Sequence, residues 1–197
     1  TLRAMTAEEW RHRLAADPVD AAMLLRSAAL YGFADAQVAF GQILLDGRGV
    51  PADPREAFRW FGYAARAGHL AGMNMVGRCH ENGWGVPVCA ATAVEWFHQA
   101  ARGGYDWAQF NLAAMLLEGR GTTANRRQAL AWYKKAADQG HAKAMNVIGR
   151  FLEEGWDTPP DRAAAQSWYA RSAAAGDWRG QYNLASMGAE DADRRFG

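Results

Sequence analysis

The sequence predicts an all-α fold, a right-handed α/α superhelix (solenoid) of 36-residue helix-turn-helix repeats. Three observations carry this. Trp60, Trp96, Trp132 and Trp168 follow one another at steps of 36 residues. Two glycine columns keep the same step, Gly47, Gly83, Gly119 and Gly155 in one, and Gly32, Gly68, Gly104, Gly140 and Gly176 in the other. Between the glycines, small and aromatic residues such as Ala57, Trp60, Phe61 and Ala64 recur at i, i+3, i+4 and i+7, one face of a helix. Further columns, Ala21 to Ala165 and Gly41 to Ala185, stay in the same register without insertion or deletion. A chain that was merely rich in helix formers would not hold a fixed period.

Each element has its own justification. Thr6-Ala7-Glu8-Glu9 is a capping box that opens a short helix. With a second helix from about Pro18 to Tyr31 it makes N-terminal capping helices over 6–34. Four full repeats follow, at about 35–70, 71–106, 107–142 and 143–178. The first helix of a repeat, Asp35 to Asp46 in the first copy, has small residues at 36, 72, 108, 144 and 180. It carries apolar Phe40, Val76, Leu112, Ile148 and Leu184 in the next layer. It ends at a glycine in a loop such as Gly47-Arg48-Gly49-Val50-Pro51. The second helix opens on Asp17, Asp53, Asn125 or Asp161, whose side-chain oxygens suit an orphan backbone N–H. Pro18 and Pro54 follow at the first helical position, where a missing N–H costs nothing. The Gly68 column ends it. A C-terminal half repeat at 179–188 is a lone first helix, and a charged, frayed tail follows from Glu190. An αα-hairpin cannot bury its apolar stripe alone, so the copies stack, each on its neighbours. The expectation is a single solenoid domain over 1–197, with the Trp column, Trp132 included, in its core.

Composition narrows the function. The chain has 197 residues, half of them apolar and 22% charged, enough to bury a core. The net charge of +1 lacks the basic field a nucleic-acid binder needs. No apolar run approaches the roughly 20 residues that cross a bilayer, so membrane insertion is not expected. Charges within the first 13 residues interrupt the apolar core a signal peptide would need, which tilts the expectation toward cytoplasm over periplasm.

Catalytic constellations are missing. His12, His69, His80, His98 and His141 have no converging partners in the sequence, and His80-Glu81 lacks a second His at zincin spacing. Gly47-Arg48-Gly49 and Gly83-Trp84-Gly85 lie between helices rather than after a strand, so they read as turns, not phosphate loops. Cys79 and Cys89 are too few for a zinc site. They are either bridged across a turn or, the expected state, two free thiols. No catalytic residue, metal or cofactor is expected.

The chain resembles the Sel-one-like repeat (SLR) family, a relative of the tetratricopeptide repeat. The resemblance rests on Ala36, Phe40-Gly41, Leu44, Gly47, Gly49-Val50, Asp53, Ala57, Trp60, Ala64-Ala65 and Gly68. It is repeated in Leu112, Leu116, Gly119, Gly121, Asn125, Ala129, Trp132, Ala136-Ala137 and Gly140. It covers about residues 17–188. Cys89 for the cap Asp, His80 for a Leu or Tyr, and Asp157 for the second loop glycine depart from the pattern. The resemblance implies a non-catalytic scaffold for protein interaction, common in bacterial envelope and signalling systems.

Projecting the first helix at 100° per residue leaves an outward stripe opposite the core positions. In tetratricopeptide relatives that stripe lines the concave face. Here it gives a candidate groove for a protein or peptide segment, formed by Asn74, Arg78, Glu81, Trp107, Phe110, Leu117, Asn146, Arg150, Glu153 and Tyr182. Asn and Arg would bond a backbone or carboxylate, and Trp107, Phe110 and Leu117 would take apolar side chains. The stripe alternates with a period of 72, Met73-Asn74 recurring as Met145-Asn146 and Gly77-Arg78 as Gly149-Arg150. Recent duplication of a two-repeat unit is the plainer account of this period, and it is compatible with a groove. The alternative function is a cell-envelope scaffold that recognises glycan on exposed Trp84, Trp107 and Trp156. A monomer is expected, a weak dimer through the open C-terminal end being the other possibility.

Overall fold

In the computed structural model the described residues are 6, 8–9, 17–157 and 159–196. Among the described residues nine helices of 13 residues are followed by one of 19: α1 Pro18–Leu30, α2 Ala34–Asp46, α3 Pro54–Arg66, α4 Leu70–Asn82, α5 Ala90–Arg102, α6 Asp106–Glu118, α7 Arg126–Asp138, α8 Ala142–Glu154, α9 Arg162–Ala174 and α10 Trp178–Phe196. There is no strand among the described residues. The fold is the all-helical solenoid type, in tandem helix pairs. No helix among the described residues is long and apolar enough to cross a membrane.

The cap column sets where second helices begin. The side chains of Asp53, Asn125 and Asp161 accept backbone N–H bonds from Glu56, Gln128 and Ala164, each at 2.9 Å. Asp17 does the same for Val19 at 2.8 Å. First helices end where Gly47 and its equivalents turn left-handed, with φ 66° at Gly47. The capping box is present, Glu9 N–H donating to Thr6 Oγ1 and Thr6 N–H to Glu9 Oε2. The rest of the short helix expected before residue 17 lies outside the described residues.

Within each repeat the two helices meet through an aromatic ring set on a small residue. A Cβ on Gly41 would lie 2.5 Å from Phe61, on Gly77 2.7 Å from Phe97, and on Gly149 2.6 Å from Tyr169. Glycine here lets the backbone of the first helix come down onto the ring. Phe61, Phe97, Tyr133 and Tyr169 are accordingly buried. This corrects the expectation for the Trp column. Trp60 is buried, but Trp96, Trp132 and Trp168 are half-buried. Lys135 and Arg171 stand over the rings of Trp132 and Trp168 at 4.1 and 4.0 Å. The Trp sits one residue off the face that meets the glycine, on the flank of the helix, so its large ring ends at the surface.

The chain divides into two compact units, Thr1–Gly103 and Gly104–Gly197. In the first, Phe40, Ile43, Leu44, Trp60, Phe61, Met75 and Val76 share one core, with Trp84 packed on it. In the second, Tyr169 packs with Ala165 and Met187. The last helix runs to Phe196 instead of stopping near residue 188. Where earlier first helices meet a glycine, this one has Asp191, and no Gly or Pro follows until the final residue.

Candidate functional site

In the C-terminal unit the first helices α6, α8 and α10 present most of the expected stripe. Trp107 is 43% exposed and Tyr182 68%. Phe110 and Leu117 are half-buried, and Arg150 is exposed. In the N-terminal unit Arg78 and Glu81 on α4 are half-buried.

Two residues do not belong on an open stripe. Asn74 and Asn146 are each only 5% exposed. Asn146 Oδ1 accepts from Asn183 Nδ2 at 2.9 Å, a bond from α8 to α10. A helical projection identifies the face that meets the second helix but not the contact with a further first helix, and for Asn146 that contact, with α10, is what the Asn183 bond marks. Buried polar groups keep their partners, so these two serve packing. Glu153 is also committed, accepting the Tyr169 hydroxyl at 2.6 Å. Burial first, then this bond, holds that hydroxyl above the ordinary phenol range.

The arginines pair with the loop tryptophans. The Arg78 guanidinium lies 4.8 Å from the Trp84 ring centre, and Arg150 5.5 Å from that of Trp156. Trp156 also meets Phe151 edge-on at 5.0 Å. Trp84 and Trp156 are therefore half-buried against their own hairpins, leaving Trp107 as the exposed indole of the three considered for glycan stacking.

Two histidines, unassigned from sequence, have a local role. His69 and His141 are N-caps, their Nδ1 atoms accepting the backbone N–H of Gly72 and Ala144 at 3.3 Å. The signal was their place between the Gly68 or Gly140 turn and the small residue three positions on. His69 Nε2 reaches Asp35 Oδ1 at 3.0 Å. The residue equivalent to Asp35 in the second unit is Trp107, and His141 Nε2 is buried without a partner. His141 lies stacked on Phe110 at 4.8 Å and edge-on to Trp107 at 4.6 Å. Burial lowers its pKa, so it stays neutral. Above it opens a cleft of about 530 Å³ walled by Trp107 and Trp178, with Lys143 and Arg179 at the rim and Asp106 and Asp177 beside them. Trp178, 63% exposed, also escaped sequence reading. Its position in the repeat is held by Ala34, Leu70, Asp106 and Ala142, so no column marked it.

Cys79 and Cys89 are both free thiols. Burial pushes Cys79 up to about 12. The Thr92 hydroxyl, donating to Cys89 Sγ at 3.2 Å, lowers the exposed Cys89. No group of three or more His, Cys, Asp or Glu among the described residues could hold a metal ion.

The chain is similar to known repeat proteins. A family model described as Sel1 repeat matches residues 34–69, 70–105, 108–141 and 142–177. A crystal structure of a protective antigen present in uropathogenic Escherichia coli strains, displaying an SLR fold, is 28% identical with TM-score 0.74. That match covers 91% of this chain and 40% of the antigen. A Sel1 repeat protein from Oxalobacter formigenes is 24% identical with TM-score 0.79, over 84% of this chain and 68% of that one. A putative Sel1 repeat protein from Klebsiella pneumoniae is 21% identical with TM-score 0.59, over 92% and 89%. No curated protein matches. Sel1-repeat proteins generally act as protein-interaction scaffolds and are typically non-catalytic. With four repeats matched over well more than half its length, this chain belongs to the Sel1 repeat family.

Proposed function

We propose that this chain is a non-catalytic scaffold that holds a protein or peptide segment against its first helices. The supporting observation is the exposed aromatic surface of the C-terminal unit, where Trp107 and Trp178, 43 and 63% exposed, wall an open cleft and Tyr182 is 68% exposed on the same helix as Trp178. Large aromatic side chains left in water are the usual anchors of an interface. In this reading Trp107, Tyr182 and the half-buried Phe110 and Leu117 receive apolar side chains. Arg150, and Arg78 in the N-terminal unit, receive a carboxylate.

The test is selection from a displayed peptide library on the intact chain, followed by binding of the recovered peptides to a Trp107→Ala/Tyr182→Ala variant. Loss of binding with an unchanged melting curve supports the reading. Equal binding by the variant refutes it. A parallel glycan array separates the alternative, since saturable glycan binding without peptide enrichment replaces the peptide reading.

A further inference from the structure

Asp157 is the one non-glycine residue with positive φ among the described residues, at 56°. Its counterparts in earlier repeats are Gly49, Gly85 and Gly121. In the N-terminal unit, glycine is required there by a close approach. The loop presses on the start of the second helix one repeat back, and a Cβ on Gly49 or Gly85 would lie 2.1 Å from the carbonyl oxygen of Pro18 or Pro54. Asp157 carries that Cβ, so its loop cannot close in the same way on Arg126, the residue equivalent to Pro54. Between Asp157 and the start of α7 there is instead a groove of about 950 Å³.

The walls of this groove are amphipathic. Leu117, Leu130 and Ala131 are its apolar lining, and Arg126, Arg127 and Lys134 its cations, against the single carboxylate of Asp157. Arg126 stands 5.8 Å from the Trp156 ring centre. Arg127 and Lys134 are exposed, with no ion-pair partner among the described residues. In the N-terminal unit the three basic positions are Pro54, Arg55 and Gly62, so this junction carries two more cations than its N-terminal counterpart. Residues 127, 130, 131 and 134 lie on one face of α7, in the order cation, apolar, small, cation. Seven helical residues place Arg127 and Lys134 about 10 Å apart along the axis. A chain in the extended polyproline-II conformation rises about 3.1 Å per residue with about three residues per turn, so acidic side chains at i and i+3 share a face roughly 9 Å apart.

We infer that this groove docks an acidic peptide segment in the extended polyproline-II conformation, with carboxylates at i and i+3 on Arg127 and Lys134 and an intervening apolar side chain on the flank, beside Leu130. It is a surface apart from the first-helix stripe, sharing only Leu117 with it.

The probe is a fluorescein-labelled peptide, Gly-Ser-Glu-Leu-Ala-Glu-Ser-Gly, followed by anisotropy at low salt on the intact chain. A control peptide has Gln in place of both Glu. Wild type should bind the acidic peptide at least about tenfold more tightly than the control, the scale of two charge-assisted contacts. Arg127→Glu/Lys134→Glu should abolish the difference. Asp157→Gly is the discriminating variant. It removes a negative charge, which by electrostatics alone would strengthen binding of an acidic peptide. It also frees the loop to close as at Gly85, so the expected outcome is loss of binding with an equal or higher melting temperature. Asp157→Asn keeps the Cβ and should bind as well as wild type or better. The inference is overturned by any of these results: no saturable binding up to about 1 mM peptide, undiminished binding by Asp157→Gly or by the charge-reversed pair, or displacement of the peptide by a single-stranded oligonucleotide that binds the same groove more tightly.

Discussion

Adjacent residues of α7, Trp132 and Tyr133, test which aromatic column holds the hairpins together. Tyr133 is 2% exposed, edge-on to Phe110 at 5.5 Å and to Phe151 at 6.3 Å. Burial drives its hydroxyl above the ordinary phenol range, so it stays neutral. A buried aromatic side chain removes some 150–250 Å² from water. At about 25 cal/mol per Å² that is roughly 4–6 kcal/mol, part of which Ala retains. Tyr133→Ala should therefore cost about 3–5 kcal/mol, the range for truncating a large core side chain. Trp132 is half-buried with one face under Lys135. Its truncation leaves a hollow that water and the lysine stem refill, so Trp132→Ala should cost about 1–2 kcal/mol. Urea unfolding followed by circular dichroism measures both. With a slope of about 2 kcal/mol per molar, the midpoints should fall by about 2 M and by less than about 1 M. Tyr133→Phe, which keeps the ring, should stay close to wild type. If Trp132→Ala lowers the midpoint as far as Tyr133→Ala, the column of buried rings on small residues is not the principal core contact and this reasoning fails.

Thiol chemistry should separate the cysteines. A thiol-specific reagent should modify Cys89 alone in the native chain and both cysteines after denaturation, and Thr92→Ala should slow the Cys89 reaction. Rapid native modification of both would mean that Cys79 is not buried as described. Stability should also depend on His141. Its folded pKa lies below the ordinary value of 6.5 because burial disfavours the imidazolium. The unfolded chain then binds the extra proton, so this contribution is whole above about pH 6.5 and is lost as pH falls from there toward the folded pKa. His141→Asn keeps a cap acceptor without the titration, so its stability should vary less with pH between about pH 7.5 and 5. A profile parallel to wild type would refute this.

The sequence by itself determined the repeat, the helix boundaries up to the last helix and the chemistry of the turns. These are local matters. Asp53 caps α3 because a short oxygen-bearing side chain reaches an N–H three residues on, and Gly47 stops α2 because only glycine enters the left-handed region freely. The core positions of the first helix, Ala36, Phe40, Ile43 and Leu44, were legible for the same reason, since periodicity reports one packed face. Tertiary structure decided what lies on the other faces. Asn74 and Asn146 read as open groove, yet both are buried, Asn146 bonded to Asn183 of a further first helix. Trp132 read as core until burial proved deepest at the residue beside it, Tyr133, in the column whose rings rest on small residues of the first helix. His141 acquired its role from a backbone N–H, and its unpartnered nitrogen from the exchange of an Asp35-type neighbour for Trp107. Asp157 read as a harmless departure in a loop. A helical period records one packed interface per helix, while the second interface, and the space a single Cβ keeps open, depend on residues one repeat away.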